Sequence, residues 1–249
     1  MEKLFNKEYL GKKFEGIGKR LAKRTPAYVL GGGVMCFRGQ KTGTKDLDIV
    51  FVESAPADDF CKAAKKEGFE AVKRLESPYQ LMDAHAVLEN VDEFRLDVFS
   101  GKVCGKLALS KTMRLRAERF GSFGNLDVFL VSNEDVILFK AVTERARDAD
   151  DIAAVIRLSR VDWNIIVEEC KEQSKGVSWH GMLHNKLIEI QERHNITSPI
   201  IKEVAAYNER DILEAKYAQL QRGGMGKKEA LAELKKRGFS KKELAGLDK

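Results

Sequence analysis

Residues 31 to 51, GGGVMCFRGQKTGTKDLDIVF, place two aspartates, Asp46 and Asp48, at the start of an apolar β-run, thirteen residues after a glycine triplet. Aspartate is depleted in strands, and a buried carboxylate is costly unless a cation or a hydrogen-bond donor meets it. Alternation along DLDIVFV puts Leu47, Ile49 and Phe51 on one face and Asp46, Asp48 and Val50 on the other, so the two carboxylates share a face. About fifty residues later FRLDVFSG repeats the anomaly: Phe94, Leu96 and Val98 alternate with Arg95, Asp97 and Phe99, leaving a third aspartate mid-strand.

Carboxylates on neighbouring strands repel one another unless cations neutralise them. Magnesium, or manganese in its place, suits such a set, since it prefers hard oxygen ligands and is commonly held by one or two carboxylates together with substrate phosphates. Two such ions can activate an attacking oxygen and stabilise a leaving pyrophosphate. The glycine triplet fits the same picture, because glycine lets a backbone approach phosphates closely and a following helix offers its first N–H groups. Taken singly, a D-x-D at a strand edge is more often a solvated pair, and Gly-Gly-Gly is only a loop signal. Their order and spacing carry the argument.

The rest of the chain supplies a frame. Leu4, Phe5, Leu10, Phe14, Ile17 and Leu21 predict a basic amphipathic helix over residues 2 to 24, with eight Lys/Arg against three Glu, ended by Pro26. AYVL reads as a short strand running into the triplet, VMCFRG as a brief helix, and 57 to 68 as a helix closed by Gly68. FEAVKRL and QLMDAHAVL, either side of a turn at Ser77-Pro78, read as strand-like, and LDVFLVS as a last strand. Ser132 and Asp135 form an N-cap signature, after which EDVILFKAVTERARDADDIAAVIRLS, WNIIVEECKEQ and HGMLHNKLIEIQERH are helical by period. A long helix follows Pro199, RGGMG reads as a hinge, and the last stretch has eight basic and four acidic residues with little apolar content, as in a mobile or partner-dependent appendage.

Composition narrows the class without deciding it. With 249 residues, 43% hydrophobic and 33% charged, the chain is globular, and its net charge of +6 permits a nucleic-acid or nucleotide partner without demanding one. Cys36, Cys61, Cys104 and Cys170 show no C-x-x-C spacing and read as free, mostly buried thiols. His85, His180, His184 and His194 lack a third nearby ligand that would make a zinc site, and Trp163 and Trp179 read as core anchors between helices. MEKLFNKEYLGKKF has no apolar stretch of the signal-peptide kind, and no run approaches the roughly 20 apolar residues of a membrane span, so a cytoplasmic protein is expected.

The run GGG-x12-DLD, preceded by a short strand and followed by the aspartate of RLDVF, resembles the nucleotidyltransferase superfamily that includes DNA polymerase beta. Within it, the minimal bacterial and archaeal branch related to abortive-infection and toxin–antitoxin nucleotidyltransferases is the nearest in wording, through TGTKDLDIVFVE. VSNEDVILFKAVTERARDADDIAAV resembles the same branch's helix pair, with Lys140, Arg145, Arg147, Asp148 and Asp151 at the matching places. The resemblance spans about residues 27 to 158 and does not reach the last ninety.

Together with the helical patterning it gives an α+β fold: a mixed-sheet nucleotidyltransferase domain with flanking helices over 1–132, as the resemblance implies, then a helical region over 133–222 and a basic helical tail over 223–249, as period and composition predict. It also implies roles. Asp46 and Asp48 would hold metals, and Asp97 would complete the metal site and help deprotonate the attacking hydroxyl. Gly32 and Gly33 would face the nucleotide phosphates, with Thr44 and Lys45 where the loop meets them, and Lys140 would contact the triphosphate. Asp148 and Asp151 would organise the helix corner through Arg145 and Arg147. Asp127 is a rival third carboxylate, but its strand matches the branch's non-catalytic one better. Where the superfamily often has Gly-Ser, this chain has glycine alone.

The expected activity is Mg²⁺-dependent transfer of a nucleoside monophosphate from an NTP, ATP among them, to a hydroxyl of a tRNA 3′ end, a protein or a small molecule. The basic N-terminal helix and tail favour an RNA or protein acceptor. The rival readings are a catalytically inactive member of the fold that binds nucleotide, RNA or a protein partner, and a helical adaptor in which residues 200 to 249 matter most.

Overall fold

The computed structural model describes residues 3–72, 83–143 and 145–247. Nine strands and eleven helices alternate irregularly among these residues, and seven of the strands form a mixed sheet in the order β3-β4-β5-β2-β1-β9-β8. Its centre is β1 (Thr25–Leu30) beside β2 (Asp46–Phe51), antiparallel to each other. Outward from β2 lie β5 (Arg95–Ser100), parallel to it, then β4 (Ala86–Asn90) and β3 (Phe69–Ala71), both antiparallel to their neighbours. Outward from β1 lie β9 (Leu126–Leu130), parallel, and β8 (Glu118–Phe123), antiparallel. The two-residue strands β6 (Lys102–Val103) and β7 (Leu107–Ala108) make a hairpin on the end of β5.

Helices α1 (Lys7–Gly18) and α3 (Ser54–Lys66) pack on each other and on the sheet, while α2 (Gly31–Phe37) links β1 to β2. Helix α1 is shorter than the apolar spacing predicts. Asn6 caps it by accepting from Tyr9 N at 3.0 Å, and Phe5 is taken instead into two backbone hydrogen bonds with Thr44. At the other end Gly18 is buried against the carbonyl of Phe123, where a Cβ would collide.

Segments with weak periodicity are where structure and expectation part. Strand β8 is mostly exposed, and ERFGSF shows no apolar alternation to announce it. The glycine triplet is the first turn of α2 rather than a loop before it. The later part of FEAVKRL, the turn at Ser77-Pro78 and the first residues of QLMDAHAVL lie outside the described residues.

After α4 (Lys111–Arg116) and the β8–β9 hairpin the chain is helical: α5 (Asn133–Ala141), α6 (Asp148–Leu158), α7 (Trp163–Gln173), α8 (His180–His194) and α9 (Ile201–Arg222). Ser132 caps α5 by accepting from Asp135 N, as the sequence predicts. One apolar core runs from Phe5 to Val204, so the sheet and the helices share it, with Trp163 and Trp179 partly buried at its margin. Arg116 on α4 stitches the halves together by pairing with buried Asp135 and Glu169.

The tail departs from expectation. It folds as α10 (Lys227–Lys236) and α11 (Lys241–Leu244), anchored by a second small core in which Ala230 and Leu234 bury against Leu213 and Tyr217 of α9. Four side chains suffice because Phe239, Leu244 and Leu247 also pack inward.

Candidate active site

The sheet brings the three aspartates to one place. Asp48 stands directly opposite Asp97 on the parallel strand, and Asp46 opposite Arg95. Arg95 and Asp97, two residues apart, share a face, as do Asp46 and Asp48. Arg95 Nη2 donates to Asp46 Oδ2 at 2.8 Å and to Asp97 Oδ2 at 3.0 Å, and Arg95 Nε lies 2.8 Å from Asp97 Oδ1. The last contact is an ion pair whose angle makes no hydrogen bond, so the buried Asp97 Oδ1 has no hydrogen-bond donor among the described residues. Arg95 was no site candidate in the sequence, although its place two residues before Asp97 was the available signal.

These carboxylates are poorly solvated and crowd one another. Burial first, and then the charges of Asp46 and Asp97, push the Asp48 carboxyl up to about 8, against the pull of Arg145 and Lys140. Asp97 is almost fully buried, and burial raises it to about 6 although Arg95 draws it down. Arg145, which follows α5, responds in the opposite sense: burial lowers its pKa, but Asp48 and further anions raise it on balance. Arg145 is thus a second arginine whose charge acts on these acids. Cys104 feels them too, its thiol pushed up to about 11 by burial and by Asp48.

The glycines are required for three different reasons. Gly31 has φ +62°, a left-handed conformation, and a Cβ there would strike Asp48 Oδ2. A Cβ on Gly32 would lie 2.6 Å from Thr44 Oγ1. Gly33 packs inward on Leu47 and Val29, so its small size serves the core. Thr44 is buried and donates its hydroxyl proton to the carbonyl of Asp46 at 2.9 Å, which fixes the backbone entering β2. Lys45 is exposed and, with Lys3, Arg95, Glu89 and Glu93, lines a cleft of about 210 Å³ that Arg95 connects to the carboxylates.

Lys140 sits slightly apart. Its ammonium is buried and donates to Asp148 at 3.0 Å and Asp151 at 2.7 Å, and these two carboxylates outweigh burial and raise its pKa. Asp148 and Asp151 thus take Lys140 as a partner the sequence did not point to, and the charge of Asp148 also acts on Arg145. Asp151 also receives Lys41 at 2.7 Å. Gln40 donates to Asn133 and Ser159, and Arg38 to Asn133, so the loop between α2 and β2 is moored on α5 and α6. Asp127 lies elsewhere: it is in register with Pro26, at the opposite end of β1 from Gly31, and pairs with Arg24 and Arg119.

Among the described residues no three His, Cys, Asp or Glu side chains converge into a ready-made metal cage, and Arg95 stands between two of the three acids. The donor chemistry nevertheless suits a hard divalent cation: three carboxylates from adjacent strands, one with a buried oxygen lacking a donor. Of the histidines, His180 pairs with Asp211 and His194 with Asp150, and neither joins the site.

A family model described as "Nucleotidyltransferase of unknown function (DUF6036)" matches residues 19–182, about two thirds of the chain. The chain belongs to this family. Its carboxylates, glycines and Lys140 fall inside the matched stretch of this nucleotidyltransferase family, while most of α8, α9 and the tail fall outside it. A crystal structure from H. pylori, provisionally described as a nucleotidyltransferase, is similar at 15% identity and a TM-score of 0.38, over 81% of this chain and 91% of that one. A comparison with curated proteins finds no match.

Proposed function

We propose that this member of the family transfers a nucleoside monophosphate from an NTP to an acceptor hydroxyl, with Mg²⁺ or Mn²⁺ held by Asp46, Asp48 and Asp97. The observation that carries the reading is the register of β2 against β5, which sets Asp48 opposite Asp97 with Asp46 on the same face. When bound, the divalent ion would supply neutralisation of the phosphates and of the leaving pyrophosphate. The chain's own groups account for the rest. The acceptor oxygen attacks the α-phosphorus while the bond from that phosphorus to the bridging oxygen breaks and pyrophosphate leaves. Asp97, buried and set opposite Asp48 on the neighbouring strand, is placed to take the hydroxyl proton. Lys45, one residue before Asp46 and exposed, would add positive charge at the entrance to β2.

Before such an ion binds, Arg95 has to leave at least one of its two carboxylates. The same clamp is the observation that favours a second reading, a non-catalytic member in which Arg95 neutralises the acids permanently. One experiment separates them: purified protein with Mg²⁺, each α-³²P-labelled NTP in turn, and total RNA or cell extract. Label that joins a macromolecule and is lost in Asp46→Asn, Asp48→Asn and Asp97→Asn supports the transferase. No label from any NTP, with NTP binding intact, overturns it in favour of the passive binder.

A further inference from the structure

The tail forms a lobe of its own, and its charges do not balance. Val204 of α9 is in the main core, whereas Leu213, nine residues and about 13 Å further along the helix, is in the second core. Residues 223–249 contain eight basic and four acidic residues, so 27 residues carry four of the chain's six net positive charges. The carboxylates of the described part are all committed locally. Glu229 accepts from the Gly226 N–H and caps α10, Glu243 accepts from the Ser240 N–H and caps α11, and Glu233 pairs with Arg237 one turn away. Lys227, Lys228, Lys235, Lys236, Lys241 and Lys242 are exposed, and none of them forms an ion pair among the described residues.

Their placement is ordered. Lys228 and Lys235, seven residues apart, fall on one face of α10 about 10 Å from each other, with Lys227 and Lys236 flanking that face. The side that carries Ala230 and Leu234 is turned into the small core. Met225 is the lobe's exposed large apolar side chain, standing at the turn before α10. Protein interfaces are centred on apolar and aromatic anchors, and membrane-surface helices need an apolar face, whereas a phosphodiester backbone is bound by spaced cations alone. Here the cations are present and the apolar face is consumed.

We infer that the α10–α11 lobe binds the phosphate backbone of a nucleic acid, which would make a nucleic acid the acceptor. The binding claim stands alone; only the acceptor role rests on the transferase reading.

The test is fluorescence anisotropy of the full chain with a labelled 20-nucleotide RNA and the matching DNA, in EDTA and without NTP, so that the carboxylate site plays no part. If four lysines engage a single strand, the salt slope of log K is about −3, and affinity falls roughly 50-fold between 50 and 200 mM salt. Lys228→Gln/Lys235→Gln should flatten the slope by about 1.4, and the six-fold Lys→Gln variant should abolish binding. Lys62→Gln/Lys175→Gln, at exposed lysines in local ion pairs elsewhere, should leave the slope unchanged. Circular dichroism identifies any variant that fails to fold, and the two-site variant, confined to exposed positions, keeps the test decisive. Preference for RNA or DNA names the source. Unchanged binding by the six-fold variant overturns the proposal, as does equal or tighter binding of poly-glutamate or of anionic phospholipid vesicles.

Discussion

Asp48 on β2 and Asp97 on β5 face each other across two parallel strands, and both hold their protons to higher pH than a free carboxyl. In the unfolded chain they titrate near the ordinary value of about 4. Between that value and about 8, the folded state therefore binds more protons than the unfolded one, and stability falls as pH rises. In EDTA the thermal midpoint should be higher at pH 5.5 than at pH 8.5, and Asp48→Asn should flatten the difference. A midpoint that rises over this interval, or is indifferent to the substitution, contradicts the crowding of these acids.

Removing the internal cation should be costly while no metal replaces it. Arg95→Ala strips Asp97, which is 1% exposed, of its ion pair. Loss of one partner from a buried pair costs about 3–5 kcal/mol, and the partial exposure of Arg95 places the expected loss near the lower end. Urea denaturation in EDTA reads it. Millimolar Mg²⁺ should recover more stability in the variant than in the parent chain, since the acids are then free to take the ion.

Lys140→Met should act on folding. Its ammonium is enclosed by Asp148 and Asp151, so the substitution leaves two carboxylates facing an apolar side chain, with an expected loss of about 3 kcal/mol. A variant as stable as the parent, but with weakened NTP binding, would instead return Lys140 to the role the sequence suggested.

Two glycines with positive φ offer a matched comparison. Gly39→Ala, at φ +71° with open space around it, should cost about 1 kcal/mol, the usual penalty of a left-handed alanine. Gly31→Ala incurs the same backbone cost and also drives its Cβ into Asp48, so it should lose clearly more stability and disturb NTP binding. Equal losses at the two positions would show that Asp48 yields without resistance.

Much of this site was legible because strand alternation is a rigid rule. Asp46 and Asp48 could be assigned to one face of their strand from sequence alone, with Asp97 mid-strand on another, and the register of β2 with β5 then unites them. Alternation also put Arg95 on the same face as Asp97, but nothing local says that a guanidinium reaches across to the next strand. Arg145 was harder, since it follows a helix and its charge reaches Asp48 only through the tertiary fold. Lys140 was not legible as a partner of Asp148 and Asp151 for a similar reason: helical spacing points to nearby arginines, whereas burial also brings in Lys140, eight residues before Asp148. Strand β8 was invisible because an exposed edge strand needs no apolar pattern. The tail was underestimated because its anchors, Leu213 and Tyr217, belong to the preceding helix.

The moorings of the α2–β2 loop limit how this chain could be taken apart. The strand bearing Asp46 and Asp48 is entered through Arg38, Gln40 and Lys41, whose partners Asn133, Ser159 and Asp151 are all encoded after the last strand. A transplant of residues 1–132 into another scaffold would carry every acid and their strand register but lose these three moorings. The sheet is thus not a portable cassette, and recombination within this family should respect a boundary drawn downstream of Ser159.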